Sequence, residues 1–357
     1  MYKLLLKTIL FLIISFSPKL LFSQKNCEDQ ILEAQKLYDE GKYSQAINIL
    51  EDVKTECNLK GTKKYETYKY LAAANYELDE LEIAQKYMEL FLKKQPYYEI
   101  NLNSDPDAFA EHIDYFKKWP LIEIGLSGGK PFNNIIVDKI YPVLDTSLTD
   151  YNQEFTTHSS YFFAFDLSIN ATSLSGFYTG VSYSQQTIAQ TIPMFNGIDF
   201  NYSEMMKQIN IPLSIKFSYP VKKFIPSVFA GGEIIYTLLS EYSYNYSESG
   251  VYAPEYEFLI VQRKHSDVSL DLDTERNQIR LGAIAGAQLA YKIGKITFFA
   301  KFKYRKEFDY FNNNNNHYTK KDLYITNYYV FPDIKFETYE ASIGFTYSFF
   351  YRVKFKY

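Results

Sequence analysis

Residues Ala341–Tyr357 read ASIGFTYSFFYRVKFKY. Every odd position is apolar or aromatic, from Ala341, Ile343 and Phe345 through Val353, Phe355 and Tyr357. The even positions are Ser342, Gly344, Thr346, Ser348, Phe350, Arg352, Lys354 and Lys356. A strict period of two is a β signal, because successive side chains of a strand point to opposite faces. Strands of soluble proteins are usually about five or six residues long, so seventeen need another cause. A strand tilted across a bilayer, one face to lipid and the other to a polar lumen, supplies it.

Working outward, seven more stretches alternate in the same way. Leu121–Gly128 sets Ile122, Ile124 and Leu126 against Glu123, and Tyr161–Ala171 sets its aromatics against Asp166, Ser168 and Asn170. Phe177–Thr187 and Met205–Tyr219 follow, the latter with Ile209 to Phe217 opposite Gln208, Asn210, Ser214 and Lys216. Ile225–Tyr244 alternates with Glu233, Thr237 and Glu241, Gln278–Lys292 with Arg280, and Ile296–Tyr310 with Lys301, Lys303, Arg305 and Glu307. Three connections are short: 172–176, 220–223 and 293–295. The others, about 129–160, 188–204, 245–277 and 311–335, are long. Alternating short and long connections predict an eight-stranded antiparallel up-and-down barrel with tight periplasmic turns and long extracellular loops. A soluble lipocalin-like barrel would bury its apolar face. Here the inner set Glu123, Asp166, Glu233, Arg280, Lys301, Lys303 and Arg305 is too charged for an apolar cavity, and its members are expected to pair across the lumen. Eight strands leave an interior just filled by side chains, so no open pore is expected.

Two segments resemble the outer-membrane β-barrel domain (porin family) common in Bacteroidetes: Ile209–Phe217, with its embedded Ile-Pro-Leu, and the glycine-bearing Phe229–Gly232. The resemblance covers about Leu121–Tyr357 and implies the barrel fold without an activity. Pro212, lacking an N–H in mid-strand, is expected to mark a bulge.

Upstream the period changes to 3.6. Residues 1–23 read as a secretory signal peptide: Lys3 and Lys7, then the apolar run Ile9–Ile14, then Ser23 before Gln24. Residues 24–120 read as a small all-α domain, placed in the periplasm by the strand count. Ala34, Leu37, Tyr38, Gly41, Tyr43, Ala46 and Leu50 resemble one tetratricopeptide repeat, and Tyr68 to Pro96 a second, with Asp79 where the turn glycine would stand. Pro106–Lys118 adds a helix, with Asp105 as its expected cap. Repeat surfaces usually bind protein, so Leu37, Tyr38, Tyr43, Tyr68, Asn75 and Tyr76 are the candidate partner face. Cys27 and Cys57 stand at the two ends of the first helical hairpin, where export favours a disulfide.

Composition bounds the chemistry. With 35 Tyr and 29 Phe in 357 residues, the chain suits a boundary between lipid and water. Loss of the leader's three lysines takes the net charge from −4 to −7, which argues against nucleic acid as a partner. No phosphate loop, zinc spacing or nucleophile elbow occurs. His158, His265 and His317, with Ser159, Asp267 and Asp322, are scattered over the long connections, and Asn312–Asn316 reads as a polar loop tip. The expectation is a non-enzymatic protein without cofactor, whose barrel, in contact with outer-membrane lipid, anchors a periplasmic domain that binds an envelope protein. A small transporter or channel is the alternative, and an enzyme at the barrel rim a distant third.

Overall fold

The computed structural model describes residues 27–141, 155–193, 198–248, 270–271, 275–313 and 329–356. They form two compact units: residues up to Pro120 together with Phe350–Tyr357, and Leu121–Phe349. The leader 1–23 lies outside the described residues.

The first unit is helical. Helix α1 spans 27–39, α2 Tyr43–Glu56, α3 Thr62–Glu77, α4 Leu81–Lys94 and α5 Asp107–His112. Ala34, Ala46, Leu50, Leu71, Ala84, Met88 and Phe91, spaced at helical intervals, close a single core. The turns into α2 and α4 each use a left-handed residue, Gly41 at φ 75° and Asp79 at φ 62°. Aspartate tolerates that conformation better than most side chains, which explains why it replaces a glycine there. A disulfide joins Cys27 to Cys57 with Cα atoms 6.3 Å apart.

Two expectations need correction here. Asp105 does not cap α5; Pro106 holds the cap position, with no side-chain cap bond. Asp105 is buried and accepts instead from Lys69 Nζ (2.8 Å), Tyr98 Oη (2.6 Å) and the Asn101 N–H (2.8 Å). Burial opposes ionisation of this carboxyl, but those donors outweigh it and hold its pKa below the usual aspartate value. The second correction concerns the final stretch, which is a barrel stave only to Phe349. Phe350 takes φ 48°, the alternation breaks, and the residues after it belong to the helical unit. Val353 is buried in the helical core, the Phe355 ring lies 5.2 Å from that of Phe116, and the Lys356 N–H donates to the Tyr115 carbonyl at 2.8 Å.

The second unit is a closed antiparallel ring. Its strands are β1 (Phe116–Lys139), β2 (Phe155–Asn170), β3 (Ser175–Pro193), β4 (Ile198–Ser218), β5 (Phe224–Glu248), β7 (Ile279–Ile293), β8 (Ile296–Glu307) and β9 (Asp333–Phe355). A two-residue β6 (Leu270–Asp271) pairs on the side of β5. Each strand pairs with its neighbour in the ring, β9 lies beside β1, and β4 with β5 completes the closure. The backbones come close enough that a Cβ on Gly286 would overlap both the Phe229 ring and the Phe302 carbonyl.

Several strands are longer than the sequence suggested. β1, β4, β5 and β9 have 24, 21, 25 and 23 residues, against the roughly ten that cross a bilayer. The expected long connection over 188–204 is mostly strand, since Pro193 pairs with Asp199 and only 194–197 lie between β3 and β4. Pro212 makes no bulge: Thr179 pairs with Leu213 and Ser182 with Asn210 in one register, although no pairs are made between them. The irregularity lies instead at Lys207/Gln208 against β5. It shifts the parity of β5, so that Tyr242 and Tyr244 point inward and Glu241 outward, not into the lumen as expected. The stretches 256–263 and 266–273, whose sequence suggests a hairpin extending the wall, lie outside the described residues except for Leu270 and Asp271.

Candidate functional site

The two ends of the barrel wall have opposite polarity. From the short turns up to mid-wall, apolar side chains face out: Phe163 and Phe165 on β2, Leu213, Ile215 and Phe217 on β4, Leu281 and Leu289 on β7, Phe298 and Phe302 on β8, Ile343 and Phe345 on β9. The alternate positions turn inward, as the period of two dictates, and are mostly polar, with Phe162, Ile284 and Phe299 among the apolar ones. Farther along the same strands the pattern inverts. Phe200, Tyr202 and Met206 of β4 and Tyr242 and Tyr244 of β5 point inward, while Asn201, Ser203, Ser243 and Asn245 face out. With Phe311, Tyr329, Phe331, Ile334 and Phe336 they build an aromatic core inside that end. Asn312, expected in a loop tip, is buried beside it; its amide donates to Asp333 Oδ1 at 2.6 Å and its oxygen accepts from the Ile334 N–H at 3.3 Å.

The lumen is filled by tiers of buried polar and charged side chains. Glu123 accepts from Asn170 Nδ2 at 3.1 Å and Ser348 Oγ at 3.3 Å, near the turns. Above it Asp166 accepts from Lys301 Nζ at 2.9 Å, Ser127 Oγ at 2.6 Å and Tyr178 Oη at 2.5 Å. In the next tier Glu233 bridges Lys303 Nζ at 2.6 Å and Arg305 Nη1 at 3.0 Å. Lys303 also meets Glu340 at 2.9 Å, and Arg305 meets Glu307 at 3.3 Å. Arg280 closes on Glu307 at 2.8 Å and donates to Thr237 at 3.0 Å. All seven charges marked from the sequence, Glu123, Asp166, Glu233, Arg280, Lys301, Lys303 and Arg305, therefore stand on the inner face, each with a partner.

The highest tier was missed. Glu204, wholly buried, accepts from Arg276 Nε at 2.8 Å and Nη2 at 2.7 Å, from Tyr202 Oη at 2.6 Å and from Ser240 Oγ. The Arg276 guanidinium lies 3.9 Å from the Phe331 ring centre and 4.9 Å from that of Phe311. These residues fall where apolar residues no longer mark the outer face, so the alternation gave no signal. The available one was the reverse: aromatics at every second position, Phe200, Tyr202, Tyr242 and Tyr244, opposite polar residues. Chemically, oppositely charged groups this close and this dry hold one another rather than a passing solute.

The candidate partner face of the helical unit is mostly interior. Tyr38, Asn75 and Tyr76 are buried, and Leu37, Tyr43 and Tyr68 pack half-buried against the same core. Asn75 Nδ2 donates to the Leu71 carbonyl at 2.6 Å. Tyr38 donates to Glu77 at 3.3 Å and meets the Tyr43 ring, while Tyr68 stacks on Tyr87. Tyr76 stacks on His112 at 3.9 Å, and burial pushes its phenol pKa up to about 12. Their spacing is helical because they hold the helices together, so these six do not form an open groove. His158 is exposed beside Thr156, and Ser159 lies on the same strand, β2. His265, His317, Asp267 and Asp322 lie outside the described residues. Among the described residues no group of three His, Cys, Asp or Glu is arranged to hold a metal.

No family model and no curated protein matches the chain. Among solved structures it is similar to the outer membrane protein OprG from Pseudomonas aeruginosa, with TM-score 0.38, 11% identity and coverage of 65% of this chain and 97% of that one. It is also similar to the outer membrane protease OmpT from Escherichia coli (TM-score 0.32, 10% identity, 64% and 96%). A third is Neisserial surface protein A (0.28, 10%, 65% and 99%).

Proposed function

We propose that the chain is an outer-membrane β-barrel protein, closed to solutes, that anchors its helical unit on the periplasmic side and is not an enzyme. The inversion of polarity along single strands carries this reading. An apolar-out, charged-in wall suits lipid, and the polar-out, aromatic-in continuation suits a wall that has emerged into water. The Bacteroidetes-type resemblance of Ile209–Phe217 and the tetratricopeptide-like spacing of the helices support the same architecture.

Tiers of ion pairs from Asp166 to Glu204 favour an anchor over a channel. Purified full-length protein in planar bilayers is expected to give no steady single-channel conductance; discrete, ion-selective steps would favour the transporter reading instead. For the helical unit, the docking surface is proposed on its outside, where Leu81 and Ile83 of α4 and neighbouring Leu78 are exposed and apolar. A photo-crosslinker at Ile83 in cells is expected to capture one envelope protein, whereas one at buried Tyr76 is not. Equal capture at both would mean that the unit opens and that the six interior residues are the binding face after all.

A further inference from the structure

We infer that the turn end of the barrel over β5, β7 and β8 is a binding site for one anionic phospholipid of the periplasmic leaflet. The inference rests on the outer-membrane reading above. Two observations meet at this place. The first is an apolar groove of about 520 Å³ on the outer wall, with Ala300 as its floor and Phe224, Leu289, Tyr291, Phe298 and Phe345 around it. It shares Leu289, Ala300 and Ile343 with a larger depression of about 1030 Å³ that continues over Ala287 and Ala341. Small residues on three adjacent strands leave this trough, and the aromatics beside them wall it.

The second observation is charge. The β4–β5 turn carries Lys222 and Lys223, and the β7–β8 turn carries Lys295; all three are exposed. The Lys292 N–H donates to the Lys223 carbonyl at 2.8 Å, which holds the two turns side by side. Residues 171–174, 219–223 and 294–295, the three short turns, contain no Asp or Glu. The groove opens against this cationic edge: Phe224 follows Lys223, and Phe298 lies three residues after Lys295. An acyl chain in the trough places its phosphate level with the lysines, and Tyr291 and Phe224, with rings 5.1 Å apart, stand at the interface depth that aromatics favour. A zwitterionic headgroup would satisfy the groove but gain much less from the three charges.

Native mass spectrometry of the full-length chain in a mild detergent, with phosphatidylglycerol and phosphatidylcholine offered at equal concentration, tests this. Phosphatidylglycerol is expected to be retained about a hundredfold better, the product of three lysines. Each lysine near an anionic headgroup is worth about fivefold. Each of K222Q, K223Q and K295Q should therefore weaken retention by about that factor, and the triple variant should hold both lipids equally. Ala300→Trp, which fills the groove, should weaken both lipids while leaving their ratio unchanged. Equal retention of the two lipids by the unaltered protein, a preference that survives the triple variant, or an A300W variant that binds normally would each overturn the site. The outer-membrane reading fails separately: a chain that never shows the heat-modifiable gel mobility of a folded barrel would remove that reading first.

Discussion

Replacing Arg305 by leucine is expected to lower the stability of the folded barrel by about 3–5 kcal/mol, the cost of breaking a buried charge cluster from one side. Arg305 is almost wholly buried and lies between three carboxylates: Glu233 at 3.0 Å, Glu307 at 3.3 Å and Glu340 at 3.7 Å. It also donates to Thr338 at 3.1 Å. Leucine fills comparable space but leaves those carboxylates to Lys303 and Arg280 alone. The urea midpoint of the protein in lipid vesicles, read as loss of heat-modifiable gel mobility, measures the change. The double variant R305L/E233Q, which also removes one of the stranded charges, should regain part of the loss. An R305L midpoint within error of the parent would mean that water reaches this tier, and the closed-lumen reading would fall with it.

The second large effect belongs to the outer face. Ile343 is 74% exposed and pairs with Ala300, within the apolar band. Ile343→Arg should cost about 2–4 kcal/mol of insertion and folding into vesicles, the range for a cation on the lipid side near mid-membrane. Ile343→Phe should cost almost nothing. An arginine at a soluble strand's exposed position would be nearly neutral. A harmless I343R would thus mean that this face meets water, and the polarity inversion would need another cause. The two variants probe opposite sides of one wall and should be independent, since no partner is shared.

The sequence was legible wherever one face of a strand is apolar and the other is not. That condition holds from the short turns up through the middle of each strand. It revealed the eight strands, the pairing of the last with the first and the inner charges from Glu123 to Arg305. It failed above that level, where Gln185, Gln186, Thr187 and Gln190 make both faces of β3 polar and no period remains. Glu204 and Arg276 carry no periodic signal for this reason, and β4 starts at Ile198, seven residues before the Met205 that the alternation marks. In the helical unit the period of 3.6 marks the helices but leaves open which of their faces meets a partner. A tyrosine at a repeat's signature position serves equally in a groove or in a core, and only tertiary contacts distinguish the two. Asp105 shows the same ambiguity at a single residue, since an aspartate before Pro106 suits a cap until Lys69 and Tyr98 claim its oxygens.

The helical unit takes Val353 and Phe355 into its own hydrophobic core, although the whole barrel sequence separates them from α1 to α5. Its maturation is therefore tied to the order of synthesis. The helices precede the ring in the chain, yet their core is short of two apolar residues until Val353 and Phe355 join it. A variant truncated after Phe349 would keep the staves of the ring and leave the helical core without Val353 and Phe355, so completion of the first unit is coupled to a segment that follows the ring.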